Sequence, residues 1–170
     1  MKIESMEDLF LAEIEDLYDC EKRLTKALPK MAKASTSLQL RQAFESHLLE
    51  TEGHLQRLEK VFSAMGKEPK AETCQAIKGL IEEGEDMISN TDQSPLRDAG
   101  IIAAANRVEH YEMAAYGSAR TFAQILGLSS AVSLLEQTLK EEKMADKKLT
   151  QLAETMINNE ALRSAPVQQR

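Results

Sequence analysis

The chain has 170 residues, 42% of them hydrophobic and 29% charged, with a formal net charge of −7. That length suffices for one domain with a substantial core. The acid excess without any basic cluster argues against nucleic-acid binding, and no apolar run reaches the roughly 18–20 residues that span a bilayer. With only 7 Gly, 4 Pro and 4% aromatics, and with Ala, Leu, Glu, Lys, Met and Gln dominant, the composition predicts an all-α protein. Cys20 and Cys74 form neither a CxxC nor a zinc pattern and read as reduced thiols. The acidic, amphipathic start MKIESMEDLF is not a signal peptide, so a cytoplasmic location is expected.

In chain order, Ser5-Met-Glu-Asp8 reads as a capped helix start. The pattern Phe10, Ile14, Leu17, Tyr18, Leu24 and Leu28 carries a first helix to about Ala34, with a kink expected at Pro29. The STS run at 35–37 caps a second helix from about Leu38 to Met65, striped by Leu40, Phe44, Leu48, Leu55, Leu58 and Phe62 and stopped by Gly66. A shorter helix is predicted over 72–89. Ser94-Pro95 opens a third long helix to about Leu126. Gly127 ends it, and Ser129 or Ser130 caps a fourth that runs to about Asn158. Residues 1–160 read as one domain and 161–170 as a frayed tail. Short links join the first two long helices and the last two, whereas roughly 27 residues separate the hairpins. Two antiparallel hairpins joined by one long crossover containing a short helix is the ferritin-like four-helix arrangement.

The chemistry lies in acids on the wrong face. At 100° per residue, Glu21 falls in the middle of the first apolar stripe. His47 and His54 fall within the second, with Glu50 at its edge. Glu112 is central on the third helix with Glu109 one turn back, and Glu142 is central on the fourth with Asp146 one turn on. Glu52 and Glu141 point outward on this reckoning, and His110 lies on the surface. Burying several uncompensated carboxylates is not feasible. Protons, buried Lys or Arg, or metal cations could neutralise them. The inward stripes offer almost no Lys or Arg, Arg120 being one candidate, so divalent metal fits best. Each of His47 and His54 reads equally as a satisfied core histidine or a ligand. A carboxylate-rich, thiolate-free set suits iron or manganese rather than structural zinc, and so much negative charge suits two ions rather than one.

The segments MEDLFLAEIEDLYDCEKRLTKALPKMAKA, AFESHLLETEGHLQRLEKVF, IAAANRVEHYEMAAYGSARTFAQILG and LLEQTLKEEKMADKKL, and above all EHYEMAAYG, resemble the YciF-like family of bacterial stress-associated, ferritin-like proteins. The resemblance covers nearly the whole chain. It implies a bundle similar to the helical domain of rubrerythrin, a dinuclear metal site and a homodimer. Carried over residue by residue, it points to Glu21, Glu50, Glu109, Glu112 and Glu142, with His47 and Asp146 close by. One departure stands out. The Glu-x-x-His usual in ferritin-like di-iron proteins is replaced by Glu50 with Gly53 and Glu142 with Ala145. The resemblance implies no settled activity; the carboxylate-rich site itself reads first as a di-iron or di-manganese oxidoreductase acting on peroxide or oxygen, with Tyr18 and Tyr116, near the stripes, as hydrogen-bond donors beside it. The alternative is a non-enzymatic dimeric stress-related scaffold whose metal site is vestigial or structural. A storage cage finds no support in the sequence.

Overall fold

A computed structural model describes residues 2–164, and all of its regular elements are helical. The long helices are α1 (Met6–Ala34), α2 (Leu38–Ala64), α4 (Pro95–Ile125) and α5 (Ser129–Leu152), with α3 (Gln75–Ser89) in the crossover. After α5 the chain makes a π-helical turn, Ala153–Ile157, and continues as α6 (Asn158–Ser164). Residues 161–164, expected to fray, are therefore helical, and Ala161 is buried. Residues 165–170 of the expected tail lie outside the described part.

Local chemistry accounts for most boundaries. Ser5, Ser37 and Ser94 each accept a hydrogen bond from the backbone N–H three residues on, so each satisfies one orphan donor of its helix. Pro95 follows the third of these caps at the first helical position. Gly66 and Gly127 adopt φ of 66° and 70° just beyond α2 and α4, a left-handed geometry that side chains resist. α1 continues as one helix through Pro29. One expectation is corrected. Ser129 is already the first residue of α5, and the cap position falls on Leu128, which makes no side-chain cap bond.

α1 packs along α2, and α4 along α5, while α2 lies against α5 and α1 against α4. The tight link between α1 and α2 is fastened by Asp98 at the start of α4, whose carboxylate accepts from the N–H groups of Thr36 (2.8 Å) and Ser37 (2.7 Å). The crossover climbs back along α1. Glu72 N–H bonds to Glu15 O, Cys74 N–H to the Asp19 carboxylate, and Lys30 pairs with Glu85 on α3. The bundle thus has the topology of two antiparallel hairpins joined by a full-length crossover.

Its interior is not one continuous apolar core. One cluster gathers Leu24, Leu28, Leu40, Phe44, Ile101 and Leu149 at one end. The other gathers Phe10, Ile14, Leu17, Phe62, Tyr116 and Leu135 at the opposite end. Each fully buried Leu, Ile or Phe contributes about 1.5–3 kcal/mol of burial free energy. Between these two dry ends, all four long helices place polar side chains at the same height.

Candidate metal centre

That middle layer follows from helical spacing. On α1, Glu21 lies between Leu17 and Leu24. On α2, His47 and His54 lie two turns apart between Phe44 and Leu58. On α4, Glu109 and Glu112 are one turn apart between Val108 and Tyr116, and on α5 Glu142 follows Leu139. Glu21, Glu112, Glu142 and His54 have no solvent exposure, and Glu109 and His47 have 3% and 6%. Helices that bury these stripes against one another carry the acids inward with them.

Two groups form, each with ligand-capable atoms within 4.8 Å of one another: His47 with Glu109, Glu112 and Glu142, and Glu21 with His54 and Glu142. Glu142 belongs to both. Its Oε2 lies 3.5 Å from His47 Nε2, and its Oε1 lies 2.9 Å from His54 Nδ1. His47 Nε2 is also 3.4 Å from Glu109, and His54 Nδ1 is 3.3 Å from Glu21. Around the rim, Tyr116 O–H donates to Glu21 and the Cys20 thiol donates to Glu112 Oε1 at 3.5 Å.

The electrostatics are those of charges crowded in a dry space. Burial first, and then Glu142, Glu21 and Glu109 around it, push Glu112 well above the usual carboxylate range. Burial likewise raises Glu109, with His47 opposing, and Glu21, with His54 opposing. Glu142 goes the other way, because His54 and His47 outweigh its burial. Burial works against protonation of the imidazoles. The carboxylates prevail nonetheless, taking His47 up to about 9 and His54 up to about 11.

Metal ions fit this donor set on one observation above all. Glu21 Oε2, Glu109 Oε2, Glu112 Oε2 and both oxygens of Glu142 are buried without a hydrogen-bond partner among the described residues. A buried acceptor left unmade costs about 1–3 kcal/mol, more when charged. The residues that carry these acceptors are the acids of the two ligand groups. The donors are oxygen and imidazole nitrogen, both of which bind divalent metal ions.

The other predicted residues fare differently. Glu50 is half-exposed and outside both groups; it holds His47 from behind, with Nδ1 to Oε2 at 3.1 Å. Asp146, expected among the acids, also lies outside and faces the exposed His110 at 3.2 Å. Arg120 compensates none of the central acids, since it pairs with Glu136 at 3.2 Å. Tyr18 turns away from the layer and donates to Glu59. Glu52 is exposed as expected, but Glu141 is not. It meets His54 Nε2 at 2.9 Å and is gripped by the Arg57 guanidinium. Wheel positions alone misplace Glu141. The spacing of His54 and Arg57, one turn apart on α2, was the signal that could have found it.

A cavity of about 210 Å³ between α2 and α5 reaches this layer from outside. Ala43, Phe44, Ala145 and Leu149 form its walls, and His47 and Glu109 stand in its lining. No helix among the described residues is long and apolar enough to cross a membrane.

Comparison with known proteins agrees with this architecture. The chain is 44% identical over 162 residues to Protein YciF of Escherichia coli (strain K12), covering 95% of this chain and 98% of that one. The crystal structure of the Escherichia coli stress protein YciF superposes with a TM-score of 0.88 over 92% of this chain and 99% of that one. YcfI from Rhodopseudomonas palustris gives 0.84 at 43% identity, over 88% and 95%. A Xanthomonas campestris protein of 17% identity, with a TM-score of 0.74 over 94% and 98% of the two chains, shares the fold. The family described as Domain of unknown function (DUF892) matches residues 5–162. With a match of that extent and a relative so similar along its whole length, the chain belongs to the DUF892 family of YciF-like stress proteins.

Proposed function

We propose that the protein is a cytoplasmic, homodimeric oxidoreductase of the ferritin-like, rubrerythrin-like kind, holding two iron or manganese ions and acting on peroxide or oxygen. The observation that carries this reading is the sharing of Glu142 between two buried ligand groups. A buried carboxylate with an imidazole beside each oxygen is suited to lie between two cations. His47, Glu109, Glu112 and Glu142 would hold one ion, and Glu21, His54 and Glu142 the other. Bound as a pair, such ions would supply the two electrons that reduction of a peroxide requires.

The chain's own residues supply the rest. Apolar clusters on either side exclude water, which strengthens each interaction within the layer. Tyr116 fixes Glu21 through its hydroxyl, and Cys20 fixes Glu112 through its thiol. The cavity beside His47 and Glu109 admits a small oxidant. Glu50 accepts from His47 Nδ1, which leaves Nε2 to face Glu109 and Glu142.

The alternative, a non-enzymatic dimeric scaffold, draws on a specific observation. Two imidazoliums and two protonated acids can neutralise the layer without metal. Elemental analysis after incubation with Fe(II) or Mn(II), followed by peroxide consumption, separates the readings. Close to two tightly held ions per chain, one for each ligand group, with peroxide turnover supports the oxidoreductase. No retained ion overturns it. Retained ions without turnover favour the scaffold with a structural site.

A further inference from the structure

Successive residues on a helix point about 100° apart, so the Glu141-Glu142 pair can serve two faces of α5. Glu142 enters the central layer, while Glu141 turns toward α2. There its two oxygens are fully engaged. Arg57 donates from one guanidinium nitrogen to Oε1 at 2.9 Å and from the other to Oε2. The second nitrogen also bonds Thr138 Oγ1 at 3.1 Å, and Gln137 reaches Oε1 at 3.4 Å. Such a two-pronged arginine grip fixes the plane as well as the place of a carboxylate.

His54 Nε2 lies 2.9 Å from Glu141 Oε2. The same ring directs Nδ1 at Glu142 (2.9 Å) and Glu21 (3.3 Å). Its edges pack near-perpendicularly on Tyr116 and His47, with centroids 6.3 and 6.1 Å away. An imidazole can offer a lone pair to a cation from one nitrogen only when the other carries the proton. Glu141 accepts at Nε2, so the proton is held there and Nδ1 is left to face the ligand group.

We infer that Glu141, clamped by Arg57, is a positioning residue that sets the tautomer and orientation of His54 toward the centre. This rests on the metal-binding reading above, and it adds two residues that lie outside both ligand groups and off the apolar stripes. The carboxylate behind a metal-ligating histidine is worth about tenfold to a hundredfold in metal affinity.

The test is titration of the full-length protein with Co(II), followed by its visible absorption, for wild type, Glu141→Ala, Glu141→Gln and Arg57→Lys. Urea unfolding of each metal-free variant checks that it folds. Glu141→Ala should weaken binding of one of the two ions by about tenfold to a hundredfold and alter its spectrum. Glu141→Gln keeps an acceptor without the charge and should recover part of the loss, and Arg57→Lys should fall between wild type and Glu141→Ala. In a His54→Ala background, Glu141→Ala should change nothing further, which a merely structural role would not produce. Unchanged Co(II) affinity in folded Glu141→Ala, or an equal loss in the His54→Ala background, overturns this inference while leaving the metal centre in place. Wild-type protein that binds no Co(II) overturns both.

Discussion

In the metal-free protein, Glu112→Gln should raise stability near neutral pH. Glu112 is fully buried; Oε1 meets the Cys20 thiol, and Oε2 has no hydrogen-bond partner among the described residues. Burial and three neighbouring acids lift its titration well above the ordinary 4.5. An acid whose pKa is raised on folding costs stability as pH climbs from 4.5 toward that raised pKa, about 1.4 kcal/mol per pH unit, because the folded state keeps a proton that the unfolded state has released. Glutamine has nearly the same shape and needs no proton, so that cost disappears. Its amide oxygen can keep the thiol contact. An unsatisfied N–H would return about 1–3 kcal/mol, but Glu109 and Glu142 stand within the same group as acceptors. The net expectation is a gain, about 1.4 kcal/mol for each pH unit by which the acid is raised less any cost of the amide N–H, and each kcal/mol is about 2–4 °C in Tm for a chain of this size. The folded acid takes up its proton as pH falls, so wild type catches up between the raised pKa and about 4.5, and the advantage vanishes below that. Urea unfolding of metal-free wild type, Glu112→Gln and the exposed control Glu52→Gln at about pH 7 and pH 5 measures this. Loss of stability in Glu112→Gln, or a gain that does not shrink on acidification, would refute the crowded-acid account.

Because Glu142 belongs to both ligand groups, Glu142→Ala should abolish retention of both ions, whereas Glu21→Ala should leave about one per chain; elemental analysis distinguishes them, and equal losses would deny the shared role. Metal binding near neutral pH should expel protons from Glu109, Glu112, His47 and His54, so that two dications replace up to four protons and affinity rises with pH. Calorimetric binding enthalpies that do not change with the ionisation heat of the buffer would contradict it. Asp98 is 2% exposed and accepts from Thr36 and Ser37. Its replacement by Ala should cost about 3 kcal/mol in urea unfolding without altering metal content, as expected for two lost charge-assisted bonds.

Helix type, most boundaries and the hairpin–crossover–hairpin topology were legible in the sequence, because serine caps, glycine stops and apolar periodicity act within a few residues of one another. The same periodicity placed Glu21, Glu112, Glu142, His47 and His54 inward, since a stripe that must be buried carries its polar members with it. What each acid meets was decided by packing between helices. Asp146 and Glu50 sit at the borders of their stripes, where a rotation of some tens of degrees moves a side chain from the interior to a neighbouring groove. Asp146 goes to His110, and Glu50 goes behind His47. Glu141 reads as exposed on α5 alone and becomes a partner of His54 only because α2 lies beside it with Arg57 at the right height. The charge balance of the layer was hidden for the same reason. The sequence shows few inward Lys or Arg, but it does not show that two imidazoles and four acids share one layer and exchange charge among themselves. Distances within a helix are fixed by the chain, whereas distances between helices are set by the side chains that fill the space, and the chemistry of this layer depends on the latter.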